Sequence, residues 1–270
     1  WRVSFLVKQL AKLSKPVFYL LIVAFLTTLV GLGYVVYQTD LQVRRVQAEN
    51  LNSQGAIYME RGQLQTAADL FGQALQANPQ YPTAHHNLGM AYYLQGDLEQ
   101  AIEQFQMAID LDSSYASPHY ALGRIYDDQN QTEAALNEFQ RAVELDPAMS
   151  EAYSELGYIL NHQGKYAEAL TILQAGLEQG GEANPPYLLK NLGWAYLGLN
   201  EPQRAVEPLE VAVARLNPGD ALYIETHRLL AEVYEAIDAF DKALQEWQGP
   251  LRDELDASEH IQRLNALLRD

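Results

Sequence analysis

The side chains with the widest chemical repertoire in this chain are six histidines: His85, His86, His119, His162, His227 and His260. An imidazole can ligate a metal or move a proton near neutral pH. These six lack the short ligand spacing of a metal site. There is no cysteine, so disulfides and thiolate nucleophiles are excluded. No Gly-rich phosphate loop, H-E-x-x-H or nucleophile elbow occurs. The 35 carboxylates are plentiful, yet nothing in their spacing sets a pair across a dry cleft for acid–base work. The sequence therefore calls for no catalytic residue, metal ligand, cofactor or small-molecule substrate, and it reads as a non-enzyme.

The informative spacing belongs to small and aromatic residues. Residues 116–149 contain His119-x-x-Leu122-Gly123-x-x-Tyr126, then Ala135-x-x-x-Phe139, Ala142 and Pro147. Apolar residues recur three and four apart, which predicts two amphipathic helices. Asn130 tolerates the left-handed conformation that ends a helix, and Pro147 stops the second one. The small Gly123, Ala135 and Ala142 let the two helices approach, and Leu122, Tyr126 and Phe139 fill the space between them.

The same pattern recurs along the chain. Its first-helix small residue is Gly55, Gly89, Gly123 and Gly157, all 34 apart, then Gly193 and Ala231 after 36 and 38. Three residues later come Tyr58, Tyr92, Tyr126, Leu160, Tyr196 and Tyr234. The second helices carry Ala67, Ala101, Ala135, Ala169, Ala205 and Ala243, each followed four residues on by Phe71, Phe105, Phe139, Leu173, Leu209 and Trp247. Self-similarity at this period predicts a solenoid.

These residues resemble the tetratricopeptide repeat (TPR) family, in six copies over 48–257 (48–81, 82–115, 116–149, 150–185, 186–223 and 224–257). The resemblance implies an all-α fold, with helical hairpins stacked into a right-handed superhelix whose concave groove binds peptides or protein segments. His85, His119 and His227 fall where the family has a large packing residue, so they are expected to pack. Copy one has Gln54 for the usual Leu, and copy two ends in Ser113 rather than proline. Residues 180–186 and 217–220 lengthen two joints, and copy six breaks down at Gly249-Pro250. Altered curvature and local loops are expected between copies four and six.

The family's groove is lined by the first helix of each hairpin. Carried over residue by residue, the lining is Asn52 in copy one and His86, Met90 and Tyr93 in copy two. Copy three supplies Tyr120, Arg124 and Asp127, and copy four Tyr158 and Asn161. Lys190, Trp194 and Arg228 complete it. Tyr93, Tyr120, Tyr158 and Trp194 recur in four successive copies, and aromatic and Arg side chains are favoured interface anchors. Some members of the family grip chaperone C-terminal carboxylates with Lys, Asn and Arg. The matching places here hold Asn52 and Ala56, then Asn87, then Ser117 and Ala121, so that function is not carried over.

The formal charge is −17 and uneven. Residues 1–45 hold six basic side chains against Asp40, or +5. The remainder sets 12 basic against 34 acidic residues, or −22. Such a domain is repelled by phosphates, so nucleic acid is not an expected partner. Acidic helix faces also keep a solenoid soluble.

Residues 16–37 form 22 consecutive positions without a charge. As a helix they extend about 33 Å, enough for a bilayer core of about 30 Å. They read as a retained transmembrane anchor, with Tyr19, Tyr34 and Tyr37 near its ends. Ala24, Thr27, Thr28 and Gly31 offer a small-residue face to a neighbouring span. Four basic residues precede the span, and Arg44 and Arg45 follow it. The positive-inside rule favours a cytoplasmic N-terminus with the repeats on the translocated side, periplasm or lumen. Residues 1–15 form an expected basic amphipathic helix with Phe5, Leu6, Leu10 and Leu13 apolar. Residues 38–47 link the span to copy one and can stay helical.

At the other end, Asp256-x-x-Glu259 reads as a capping-box helix start. Ile261, Leu264, Leu267 and Leu268 then form the stripe of a capping helix over 258–270.

The reading is a membrane-anchored scaffold or adaptor. It would bind a protein client in its groove and assist assembly, maturation or recruitment of a membrane protein complex. The architecture resembles membrane-anchored bacterial repeat proteins that work beside translocons, and thylakoid proteins that assist photosystem biogenesis. The bacterial inner membrane or the thylakoid membrane is thus the expected location. A permanent structural subunit of a membrane complex is the alternative.

Overall fold

Left-handed residues set the joints of this fold. Gly62, Gly96, Asn130, Gly164, Asn200 and Asp238 have φ between 58° and 85°, at spacings of 34, 34, 34, 36 and 38. Each turns the chain out of a helix. The next residue's N–H then closes on the carbonyl five residues back, on Tyr58, Tyr92, Tyr126, Leu160, Tyr196 and Tyr234, at 2.7–2.9 Å. This hydrogen bond satisfies a carbonyl that the helix end would orphan.

The computed structural model describes residues 15–180 and 185–269. Among these are thirteen helices and no strand. They are α1 (Lys15–Glu60), α2 (Leu64–Ala77), α3 (Pro82–Gln95), α4 (Leu98–Leu111), α5 (Ala116–Asp128), α6 (Thr132–Leu145) and α7 (Ser150–His162). There follow α8 (Tyr166–Gln179), α9 (Pro186–Gly198), α10 (Pro202–Val213), α11 (Tyr223–Ala236), α12 (Phe240–Gln248) and α13 (Ala257–Leu267). The chain divides into two compact units, residues 1–101 and 102–270, with the boundary inside α4.

In the first unit α1, α2 and α3 pack on one another. Ala67 and Phe71 of α2 are fully buried, and a Cβ on Gly55 would stand 2.5 Å from the Phe71 ring. In the second unit the pairs α5–α6, α7–α8, α9–α10 and α11–α12 repeat this arrangement, and α13 packs on α12. Ala135, Ala169, Ala205 and Ala243 are wholly buried, as are Leu173 and Leu209, and Phe139 and Trp247 nearly so. First helices are also neighbours of first helices, α7 with α9 and α9 with α11, so their outer faces form one row.

Helix α1 has 46 residues, a rod of about 69 Å. Residues 38–47 are helical within it, so the apolar segment and the first helix of copy one are a single element. From Tyr19 to Tyr37 every large apolar side chain is 39–71% exposed. Thr27 and Thr28 return their hydroxyls to the carbonyls of Ala24 and Phe25, leaving no unpaired donor on that face. The expected basic helix, with Phe5, Leu6, Leu10 and Leu13, lies outside the described residues, as do residues 181–184 of the first lengthened joint.

The C-terminal end differs from the capping-box expectation. Asp256 precedes α13, but its side chain makes no cap hydrogen bond. It accepts instead from Arg228 Nη1 at 2.7 Å, an ion pair to α11 in which both partners carry a full charge, whereas in a cap only the carboxylate does. The predicted stripe is only part-used: Leu264 is buried and Ile261 half-buried, whereas Leu267 and Leu268 stay exposed. Leu251 and Ala257 supply the remaining buried contacts.

Candidate functional site

The row of first helices in the second unit carries a cleft of about 330 Å³. One wall is Tyr120 of α5. The floor is α7, through Glu151, Ser154, Glu155 and Tyr158. Tyr187, Lys190 and Asn191 of α9 form the opposite wall, and Leu222 and Glu225 close the far end. Helical spacing explains the α7 set, since 151, 154, 155 and 158 are three and four apart and share one face.

Hydrogen bonds inside the row fix this cleft. Asn191 Nδ2 donates to both the Ser154 carbonyl and Ser154 Oγ at 3.0 Å. Asn161 Nδ2 donates to the Asn191 carbonyl at 2.9 Å, and Ser150 Oγ lies 3.2 Å from Tyr187 Oη. Lys190 Nζ, almost fully buried, donates to Glu225 Oε2 at 2.9 Å and sits 5.9 Å from the centre of the Tyr158 ring. Beside the cleft, Tyr158, His162 and Trp194 form an aromatic cluster with ring centres 4.4–6.0 Å apart.

Burial shifts the titrations here. It pushes the Tyr120 hydroxyl up to about 12, so that group is a neutral hydrogen-bond donor. Burial also raises the Glu155 carboxyl, against the pull of Arg124 and with the push of Asp127 and Asp128. The cleft offers rings with neutral hydroxyls, carboxylates, an amide and one ammonium already paired to Glu225. These are means of binding.

The structure sorts the groove residues expected from sequence. Tyr120, Tyr158 and Lys190 line the cleft, and Trp194 abuts it through Tyr158. Asn161 is buried behind it, holding α9. Asp127 is half-buried and Arg124 exposed on the same helix as Tyr120. Arg228 is engaged by Glu254 at 2.6 Å and Asp256 at 2.7 Å, with its guanidinium 5.4 Å from the Trp247 ring centre. In the first unit Asn52 is buried and accepts from Asn87 Nδ2 at 2.9 Å, a bond between α1 and α3. His86, Met90 and Tyr93 are half-buried on α3, and burial pushes the His86 imidazole down to about 4. Sequence reasoning did not name Glu151, Ser154, Glu155, Tyr187, Asn191 or Glu225. The signal for the α7 members was present in their i, i+3, i+4 spacing from Tyr158.

Two of the three recurring histidines meet their hairpin partner helix, and the third meets the loop before its own helix. His119 Nδ1 lies 2.7 Å from Glu138, and His227 Nδ1 lies 2.5 Å from Glu246, both 19 residues on. His85 Nε2 lies 3.2 Å from the Pro79 carbonyl. Among the described residues no group of three His, Asp or Glu side chains is placed to hold a metal ion.

The repeat geometry is matched by family comparisons. Residues 120–185 match a tetratricopeptide repeat model, and residues 55–96 and 90–127 match a second TPR model. This chain is a tetratricopeptide-repeat protein. Among solved structures with the same TPR architecture is Pseudomonas aeruginosa PilF, at 20% identity and a TM-score of 0.70, covering 83% of this chain and 98% of that one. The Cut9–Hcn1 heterotetramer of the APC/C aligns at 20% identity and 0.65, over 86% of this chain and 45% of that one. MamA aligns at 24% and 0.51, over 59% and 92%. At such identities the likeness concerns the fold alone. No curated protein matches the sequence. TPR repeats are protein-interaction scaffolds, and that much of the function follows from the family.

Proposed function

We propose that this protein is a membrane-anchored TPR scaffold. Its first-helix face in the second unit holds a protein client, and α1 keeps that client near a bilayer. The observation that carries the reading is the cleft over α5, α7, α9 and α11, bordered by Tyr120, Tyr158, Tyr187 and the neighbouring Trp194. Rings held by packing and hydrogen bonds are preorganised anchors, and they lose little entropy on binding. The apolar first part of α1 supports the anchor: its large side chains are exposed, and burying them in hydrocarbon removes that surface from water. The charge asymmetry favours a cytoplasmic N-terminus and repeats on the periplasmic or lumenal side. Held this way, a client belonging to a membrane complex would be met during its assembly, maturation or recruitment.

The test is a photo-crosslinking residue at Tyr158 in the native cell. Capture of one membrane-complex protein, lost on Trp194→Ala in a variant of unchanged melting temperature, supports the scaffold. Strong crosslinks from second helices or from α1, with none from Tyr158, would move the working surface elsewhere and favour a permanent structural subunit.

A further inference from the structure

Lys190 shows what the cleft does with a cation. Its ammonium is nearly buried, lies over the Tyr158 ring and is neutralised by Glu225. Glu151 and Glu155 stand on α7 in the same cleft, and among the described residues Glu155 has no ion-pair partner. The lining thus sets three carboxylates against one ammonium. Widening the count to the charges felt by Glu155 adds Asp127 and Asp128 against Arg124, so acid exceeds base on this face as well. Burial holds the Glu155 carboxyl above its usual range in spite of Arg124 and Lys190, as expected where nearby positive charge does not compensate it. A second, independent feature is Asn191. It is 3% exposed and lines the cleft, and its amide nitrogen makes the two hydrogen bonds to Ser154. Its carboxamide oxygen is buried without a hydrogen-bond partner, an acceptor that a donor in the cleft would satisfy once the side chains over it part.

We infer that the cleft between Tyr120, Glu155 and Tyr187 receives a lysine or arginine side chain of the client. The inference rests on the groove-binding reading above and adds the chemistry of what is bound. A volume of about 330 Å³ lies near the lower limit of small-ligand sites, about 300–1,000 Å³. It suits one or two side chains of a bound segment. A flat cation over a tyrosine face, with a carboxylate beneath it, gains from both the ring quadrupole and the charge. An acidic segment would meet the surplus carboxylates and be repelled.

The experiment uses the full chain, solubilised in a neutral detergent and immobilised. It is offered dodecapeptide mixtures with Arg, Lys, Gln, Leu or Glu fixed at the centre and the other positions randomised. The Arg and Lys mixtures are expected to be retained about tenfold more than the Gln and Glu mixtures at low salt, with the margin shrinking as salt rises. Glu155→Gln should bring that ratio close to one. Glu151 is exposed, so Glu151→Gln should lower the ratio at little cost to folding, and it keeps the test open if Glu155→Gln perturbs the helix row. Preferential retention of the Leu, Gln or Glu mixture, or an Arg and Lys preference untouched by both substitutions, overturns the cation inference. If such retention is still lost on Trp194→Ala, the groove reading stands alone. If no mixture is retained above a surface without protein, both readings fall.

Discussion

The ring of Phe139 occupies the space that a Cβ on residue 123 would need: a methyl there would stand 2.6 Å from the ring edge. Phe139 is 1% exposed and cannot swing into solvent. Gly123→Ala should therefore cost about 1–3 kcal/mol through overpacking. Gly72 in α2 supplies the opposite case, since a methyl added there would meet nothing within 4 Å. Gly72→Ala should stabilise by about 0.5–1 kcal/mol, because only the unfolded chain loses freedom. Urea unfolding of both variants checks the pair, and equal effects would contradict the close-approach explanation.

The left-handed joints make a second prediction. Asn130, Asn200 and Asp238 hold φ near 60° with a Cβ, where three other joints use glycine. Asp238→Gly should raise stability by up to about 1 kcal/mol, since the strain of that conformation exceeds the added entropy loss. Gly96→Val, at φ 85°, should cost more than about 1 kcal/mol. Thermal melts of the two variants should move in opposite directions.

The ion pair of Lys190 and Glu225 is asymmetric. The lysine side chain is 9% exposed and the glutamate 65%. Removing the glutamate leaves a buried ammonium unpaired, whereas removing the lysine returns a carboxylate to water. Glu225→Gln should destabilise by about 1–3 kcal/mol, and Lys190→Met should stay within about 1 kcal/mol of the parent. Equal losses from the two substitutions would show that the pair does not behave as a buried one.

His86 gives a pH dependence with a definite sign. Burial lowers its folded value from 6.5 to about 4. The folded state therefore binds fewer protons than the unfolded chain between these values, and protonation favours unfolding. The loss is absent above pH 6.5 and grows as pH falls toward 4, reaching about 2–3 kcal/mol. Carboxylates titrate in the same range, so the diagnostic quantity is a difference. The stability gap between His86→Leu and the parent should shift by that amount between pH 7 and pH 4, in favour of the variant. A gap that does not change with pH would place the imidazole in water.

The packing positions were legible because they follow from spacing alone. Small residues at the close approach, Ala67 and its counterparts, and the ring four residues on all recur at a fixed period, and the hairpin requires each of them. Contacts between successive hairpins were not legible. A Cβ on Gly198 of α9 would meet Tyr166 of α8 in the preceding hairpin, yet Gly198 does not belong to the repeating set. The same limit applies at the candidate site. Spacing assigns a residue to a helix face, but the next first helix covers part of that face. Asn161 and Lys190 consequently turn into hydrogen bonds with α9 and α11, while Glu151 and Glu155 lie in the cleft. Asp256 shows a further reason: a side chain suited to a cap is taken by Arg228, 28 residues away in sequence.

The apolar part of α1 carries the last prediction. From Tyr19 to Tyr37 its large side chains are exposed around the whole helix, whereas an amphipathic surface helix would show one apolar stripe. Its two threonines spend their hydroxyls on the helix's own carbonyls. Both features suit hydrocarbon. The full chain should therefore stay with membranes through alkaline carbonate extraction. Val23 and Val30 lie in the middle of the segment. A lysine at each is expected to add about 2.5–3.5 kcal/mol to the cost of insertion, so the double variant Val23→Lys, Val30→Lys should move largely to the soluble fraction. The repeats bury their own cores independently of this segment, so the variant should keep the parent's melting temperature in detergent. Release of the parent by carbonate, with the variant unchanged, would assign this surface to a protein partner instead of lipid.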